Sequence, residues 1–192
     1  AFRWLAPRPQ VDPARIGIWG SGFSGGGVIV VGACDRRVRA VVANVPFASL
    51  PDTAQRLADP GAFAAIRAAL LDESGGGPAD AAGEATGPLA VVPEEGVDLP
   101  PFLAFPEASE WFLRAGADPA AGWHNRVTLR NCFGTVPAFD PGVCASHIAP
   151  TPLLMVVASE DRLAPTEGAL QTFERAGEPK RLELVLGDHF VP

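Results

Sequence analysis

Cysteine is scarce in this chain of 192 residues: Cys34, Cys132 and Cys144 are odd in number and show no CxxC spacing. That pattern excludes a disulfide scaffold and a zinc ribbon. Long apolar runs are missing too, since no stretch approaches the roughly 18 to 20 residues of a membrane span. No signal peptide is visible, and a cytoplasmic location is expected. Basic residues are outnumbered, 15 against 22 acidic, for a net charge of −7. Most of such a surface would repel a phosphate backbone, so neither nucleic acid nor a membrane is expected as a partner. Glycine and proline are plentiful, 21 and 20, but lack a Gly-X-Y period. Collagen is thereby excluded and long loops are implied. With 47% hydrophobic and 19% charged residues, the chain suits one domain with a buried core.

The first ordered signal is the short apolar run at 16–19, introduced by the turn-former Asp12-Pro13. It reads as a buried strand. A glycine-dense stretch, 20–27, leads into the apolar run 28–34. By propensity that run is a strand, and with the first it would make a hairpin. If it is helical, then with the polar turn Asp35-Arg36-Arg37 and the buried strand 38–43 it completes a βαβ unit of a parallel sheet.

From about 50 to 147 the character changes. Residues 53–71 have helical periodicity broken by Pro60 and Gly61, and 74–88 is low in complexity. The run 99–105 holds two prolines and is no central strand. Trp111, Phe112 and Trp123 read as packing residues on short helices. This stretch is expected to be a lid-like insertion between core segments 1–49 and 148–192. Regular patterning resumes with a strand at 153–158, a helix at 166–176 and a strand at 181–186.

The glycine loop satisfies two motifs. Gly20, Gly22 and Gly25 fit GxGxxG, the dinucleotide fingerprint. Gly22-Phe23-Ser24-Gly25-Gly26 fits GxSxG, the nucleophile elbow, whose glycines permit a sharp strand-to-helix turn that exposes a serine. The dinucleotide reading needs a carboxylate at the end of the next strand, where Asn44-Val45-Pro46 stands instead; Asp35 comes too early. The elbow reading needs an acid and then a histidine, each after a later strand. Asp161 follows the strand 153–158, and His189 follows 181–186. Parallel strands would deliver all three loops to one sheet edge.

The chemistry follows from the residue types. A serine hydroxyl needs an imidazole to take its proton, and the imidazole needs a carboxylate to hold its tautomer. Ser24 is the expected nucleophile, His189 the general base and then acid, and Asp161 the orienting acid. The Gly25 amide is the expected oxyanion donor. Glu160 rivals Asp161, whereas Asp188, adjacent to His189, would struggle to reach the outer ring nitrogen. His124 and His147 have no ligand-spaced partner, so neither a metal nor any other cofactor is expected.

The runs Val11-Asp12-Pro13-Ala14-Arg15-Ile16-Gly17-Ile18-Trp19-Gly20 and Ser24-Gly25-Gly26 resemble α/β-hydrolases of the dienelactone hydrolase and X-Pro dipeptidyl-peptidase-like group. Fungal polyketide transferases and thiohydrolases belong to that group. The similarity continues through Arg126–Arg130, Ile148–Val157, Asp161, Pro165-Thr166 and Gly187–Phe190. Gly22 departs from it, standing where relatives often carry Ser, and so does Asp188, where Gly is usual. The resemblance implies an α/β-hydrolase fold with its early strands and second oxyanion loop missing. A piece of a longer protein is therefore expected, with an unpaired apolar edge at 16–19.

The expected function is a serine hydrolase acting on a small-molecule carboxylic ester or thioester through an acyl-Ser24 intermediate. Peptidase action and acyl transfer would use the same machinery. The alternative is a truncated, non-catalytic hydrolase-like module. Oligomeric state, acyl group and leaving group stay open.

Overall fold

A computed structural model describes residues 2–49, 53, 90–97, 101–127 and 139–192. The chain divides into two compact units, Ala1–Thr53 with Asp140–Pro192, and Ala54–Phe139. The expected helix at 53–71, apart from Thr53, and the low-complexity stretch 74–88 lie outside the described residues.

The first unit begins with a short helix, α1 (Phe2–Leu5). A 3-10 turn at Pro13–Arg15 follows, capped by the Asp12 carboxylate, which accepts from the Ala14 amide at 2.9 Å. Then come strand β1 (Ile18–Ser21), helix α2 (Phe23–Cys34) and strand β2 (Val41–Asn44). The chain returns at Asp140 and continues through a 3-10 segment, Pro141–His147, into β3 (Leu153–Ala158). A helix over Thr166–Arg175 and strand β4 (Lys180–Val185) complete the unit.

The four strands form one parallel sheet in the order β1-β2-β3-β4. The run at 28–34 is thus helical and the hairpin does not form. A parallel pair cannot be closed by a tight turn and needs a crossover. The glycines that precede the run supply the sharp exit from β1, and α2 is that crossover.

The core lies where α2, the 3-10 segment and the two inner strands meet. Ile29, Val41, Ala43, Ala145, Ile148 and Met155 are buried in it. The 3-10 segment, assigned by sequence to the insertion, therefore packs as part of this unit. Arg36, just after α2, secures it by donating to the carbonyls of His147, Ile148 and Ala149 at 2.9, 3.2 and 3.1 Å. Both inner strands read as continuous apolar runs, as buried parallel strands do. The outer strands are more open, with Trp19 on β1 and Leu184 on β4 both exposed. β1 forms an edge of the described sheet.

In the second unit a helix spans Pro106–Ala115. Its Trp111 meets Phe112 edge-on at 5.0 Å between ring centroids, and Phe112 stacks on Trp123 at 5.8 Å. Asn125 pairs with both polar backbone groups of Val92 at 3.0 Å and donates to Glu94 at 2.8 Å. In chain order this helix follows α2, so it is α3, and the helix over Thr166–Arg175 is α4. Cys34 and Cys144 are unpaired.

Candidate active site

Three loops leave the C-terminal ends of β1, β3 and β4, and in an open parallel sheet that edge is where ligands bind. The loops after β3 and β4 are joined by backbone hydrogen bonds, Ser159 amide to Val185 carbonyl and Glu160 amide to Gly187 carbonyl, each at 2.9 Å. That pairing brings Asp161 and His189 together. Asp161 Oδ2 lies 2.7 Å from His189 Nδ1.

The other carboxylate oxygen of Asp161 accepts from the Leu163 amide at 2.9 Å and the Ala164 amide at 2.7 Å. Both its oxygens therefore face N–H groups, as suits an ionised, acceptor-only carboxylate. In neutral imidazole the proton must then sit on Nδ1, which leaves Nε2 as an acceptor able to take a proton. The pair is well sheltered, with 9% of the histidine side chain and 2% of the aspartate side chain exposed. Phe47 and Phe190 flank the ring, at centroid separations of 5.6 and 5.2 Å.

The rival acids are placed elsewhere. Asp188 accepts from the Phe190 amide at 2.8 Å, closing a local turn that presents the histidine. Glu160 is exposed. His124 and His147 are exposed as well, and no cluster of three or more metal-ligating side chains occurs among the described residues.

The elbow is where sequence and geometry part. Between β1 and α2 the left-handed residue is Gly22, with φ of 60° and ψ of −121°. Its amide donates to the Asn44 carbonyl at 3.0 Å, and its carbonyl accepts from the Phe47 amide at 3.1 Å. The turn is thus fastened on both sides to the end of β2. A β-carbon on Gly22 would lie 3.1 Å from His189 Nε2 and 3.6 Å from Cε1. The backbone position that aims a side chain at the imidazole is Gly22.

Ser24 lies two residues further on, exposed in the first turn of α2. Among the described residues no hydrogen bond joins it to His189, whose ring is held by Asp161. Gly20 has no room for a side chain because the Ser24 carbonyl fills that space. The tight approach across the turn therefore runs from 20 to 24 and is centred on 22. Gly25 is buried against the end of β2, where a β-carbon would come within 2.7 Å of the Asn44 carbonyl oxygen and 3.0 Å of Pro46 Cα. Close packing accounts for that glycine.

Sequence reasoning noted Gly22 as a departure from its relatives but did not assign it the left-handed turn, nor Asn44 and Phe47 the hydrogen bonds that hold it. The signal was present in Gly20-Ser21-Gly22, a GxG frame two residues ahead of the GxSxG frame.

No protein-family model matches the sequence. The chain is 27% identical over 199 residues to a polyketide transferase of Penicillium crustosum, covering 99% of this chain and 61% of that protein. It is 28% identical over 194 residues to a thiohydrolase of Aspergillus aculeatus, covering 95% and 57%. The crystal structure of an α/β-hydrolase from a Penicillium species superposes with a TM-score of 0.68 at 26% identity, over 99% of this chain and 61% of that one. The chain has an α/β-hydrolase fold. It spans about three fifths of the length of the curated relatives it matches, 61% and 57% for the two named. Within the α/β-hydrolase sheet, the parallel order, the βαβ elbow and the loops after β3 and β4 make up the part of the fold that bears the dyad. No helix among the described residues is long and apolar enough to cross a membrane.

Proposed function

We propose that this protein cleaves a carboxylic ester or thioester, or passes its acyl group to an alcohol, with His189 as general base and Asp161 as the acid that orients it. The contact of 2.7 Å between Asp161 Oδ2 and His189 Nδ1 carries this reading. It leaves Nε2 unprotonated, sheltered, and turned toward the strand-to-helix turn. An imidazole so held takes a proton from an attacking hydroxyl and returns it to the leaving group.

The choice of an acyl substrate is supported by the relatives, one named a thiohydrolase and another a polyketide transferase. A polyketide acyl thioester is the substrate class those names favour. Ser24 as an internal nucleophile and an external hydroxyl both draw on the same dyad, so the reading of the reaction class does not depend on which attacks.

A panel of p-nitrophenyl esters and acyl thioesters, assayed with the wild-type chain and His189→Ala, tests the proposal. Turnover should fall about 10²- to 10⁴-fold in the variant, the range a general base supplies. Undiminished turnover in His189→Ala would remove the histidine from the reaction.

A further inference from the structure

We infer that Gly22 occupies the nucleophile's place in this site, so that acyl transfer here proceeds by direct attack of an external hydroxyl on the bound acyl group, with no acyl-serine on the protein. The inference deepens the function proposed above and rests on it.

Three observations place Gly22 there. First, a nucleophile elbow is a strained turn between strand and helix. The residue in that turn with φ of 60° is Gly22, which adopts it without the penalty an L side chain would meet. Second, the direction of a β-carbon from Gly22 leads to His189 Nε2 at 3.1 Å, the nitrogen left as acceptor by Asp161. Third, the turn is pinned by hydrogen bonds from Gly22 to Asn44 at 3.0 Å and from Phe47 to Gly22 at 3.1 Å. A shift of frame that would bring Ser24 into the turn has to break both and unwind the first turn of α2.

A β-carbon at Gly22 would press on the imidazole more tightly than most such contacts, and the ring would have to give by a few tenths of an ångström. The ring fits a turn that bears no side chain. Ser24, exposed on the helix, is not the residue that completes the dyad.

The chemistry balances without an acyl-enzyme. The oxygen of water, or of an acceptor alcohol, bonds to the acyl carbon while its proton passes to His189 Nε2. The acyl carbon–sulfur or carbon–oxygen bond then breaks, and the proton on Nε2 moves to the departing sulfur or oxygen. The products are a carboxylic acid or a new ester, together with a free thiol or alcohol. No oxidation state changes.

Intact-protein mass after treatment with a fluorophosphonate probe tests the inference, with hydrolysis of a p-nitrophenyl ester followed in the same samples. Wild type should gain no adduct. Gly22→Ser should gain one, keep it when Ser24→Ala is added, and lose it when His189→Ala is added. A wild-type adduct that Ser24→Ala removes overturns the inference, and so does an unlabelled Gly22→Ser whose circular dichroism matches wild type. Where Gly22→Ser fails to fold, wild type and Ser24→Ala decide alone: a Ser24-dependent adduct overturns the assignment, and an unlabelled wild type that still turns over the ester supports it. If wild type shows no ester hydrolysis while Gly22→Ser is labelled, the proposed activity and its direct-attack step fall, and the place assigned to Gly22 stands. Ester hydrolysis with a Ser24-dependent adduct has the reverse meaning.

Discussion

Asp161 uses one oxygen to accept two backbone amides and the other to accept from His189, so its orientation and the tautomer of the ring are set together. An asparagine in the same place either turns its amide nitrogen toward Nδ1, forcing the proton onto Nε2, or turns it toward the Leu163 and Ala164 amides. Asp161→Asn should therefore lower ester turnover by about 10²- to 10⁴-fold, no more than loss of His189 itself, with circular dichroism little changed. Steady-state kinetics on a p-nitrophenyl ester checks this. Gly25 makes a different kind of prediction. A methyl there meets backbone atoms at 2.7 and 3.0 Å, which cannot move aside as a flexible side chain could. Gly25→Ala should cost about 1–3 kcal/mol, read from urea unfolding.

At the scale of elements, helix α2 shows how tertiary context overrides propensity. Its apolar, β-branched run favours extended structure when taken alone. Between two parallel strands the same residues must cross over the sheet, and a helix satisfies its own backbone groups while doing so. Arg36 then ties the end of the crossover to the 3-10 segment through three carbonyls. Arg36→Ala leaves those carbonyls to partly exposed surroundings, so a loss of about 1–2 kcal/mol in denaturant unfolding is expected. In the second unit the Arg126 guanidinium, with help from Asn125, holds the Glu94 carboxyl down at about 2, against an ordinary 4.5. A depressed carboxylate stabilises the fold above its unfolded value and loses that contribution as pH falls through its folded value. The Glu94 contribution should thus be complete above about 4.5 and fade toward 2. Carboxyl chemical shifts followed by NMR should show a midpoint near 2 that returns toward 4.5 in Arg126→Ala.

Across the molecule, stability and chemistry lie on different parts of one sheet. The inner strands and α2 carry the buried residues, among them Met155 and Ile29, both fully enclosed. Met155→Ala should cost about 2–5 kcal/mol, measured by denaturant unfolding, because packing around a central strand collapses little into the space left. The outer strands leave apolar side chains such as Trp19 and Leu184 open. The dyad sits at the C-terminal ends of β3 and β4, so that loops linked to rigid strands hold it.

Local patterning was enough to mark the four strands, the helix after β3 and the order of acid and histidine, because apolar runs bounded by turn residues depend on neighbours in sequence. It also supported the choice of Asp161 over Asp188, since adjacency restricts what a carboxylate can reach. The frame of the elbow was another matter. Two overlapping glycine motifs, two residues apart, are equally good strings, and the missing carboxylate after the second strand, with Asp161 and His189 in order further on, favoured GxSxG. Which residue takes the left-handed turn depends on where β1 stops, and that is settled by its pairing with β2 through Ser21 and Asn44. Such pairing is a contact between segments far apart along the chain, and one residue's difference in register turns each side chain to the opposite face. Residue types could mark a carboxylate and an imidazole in the right order along the chain; the packing of β1 on β2 decided that the turn facing the imidazole is the one at Gly22.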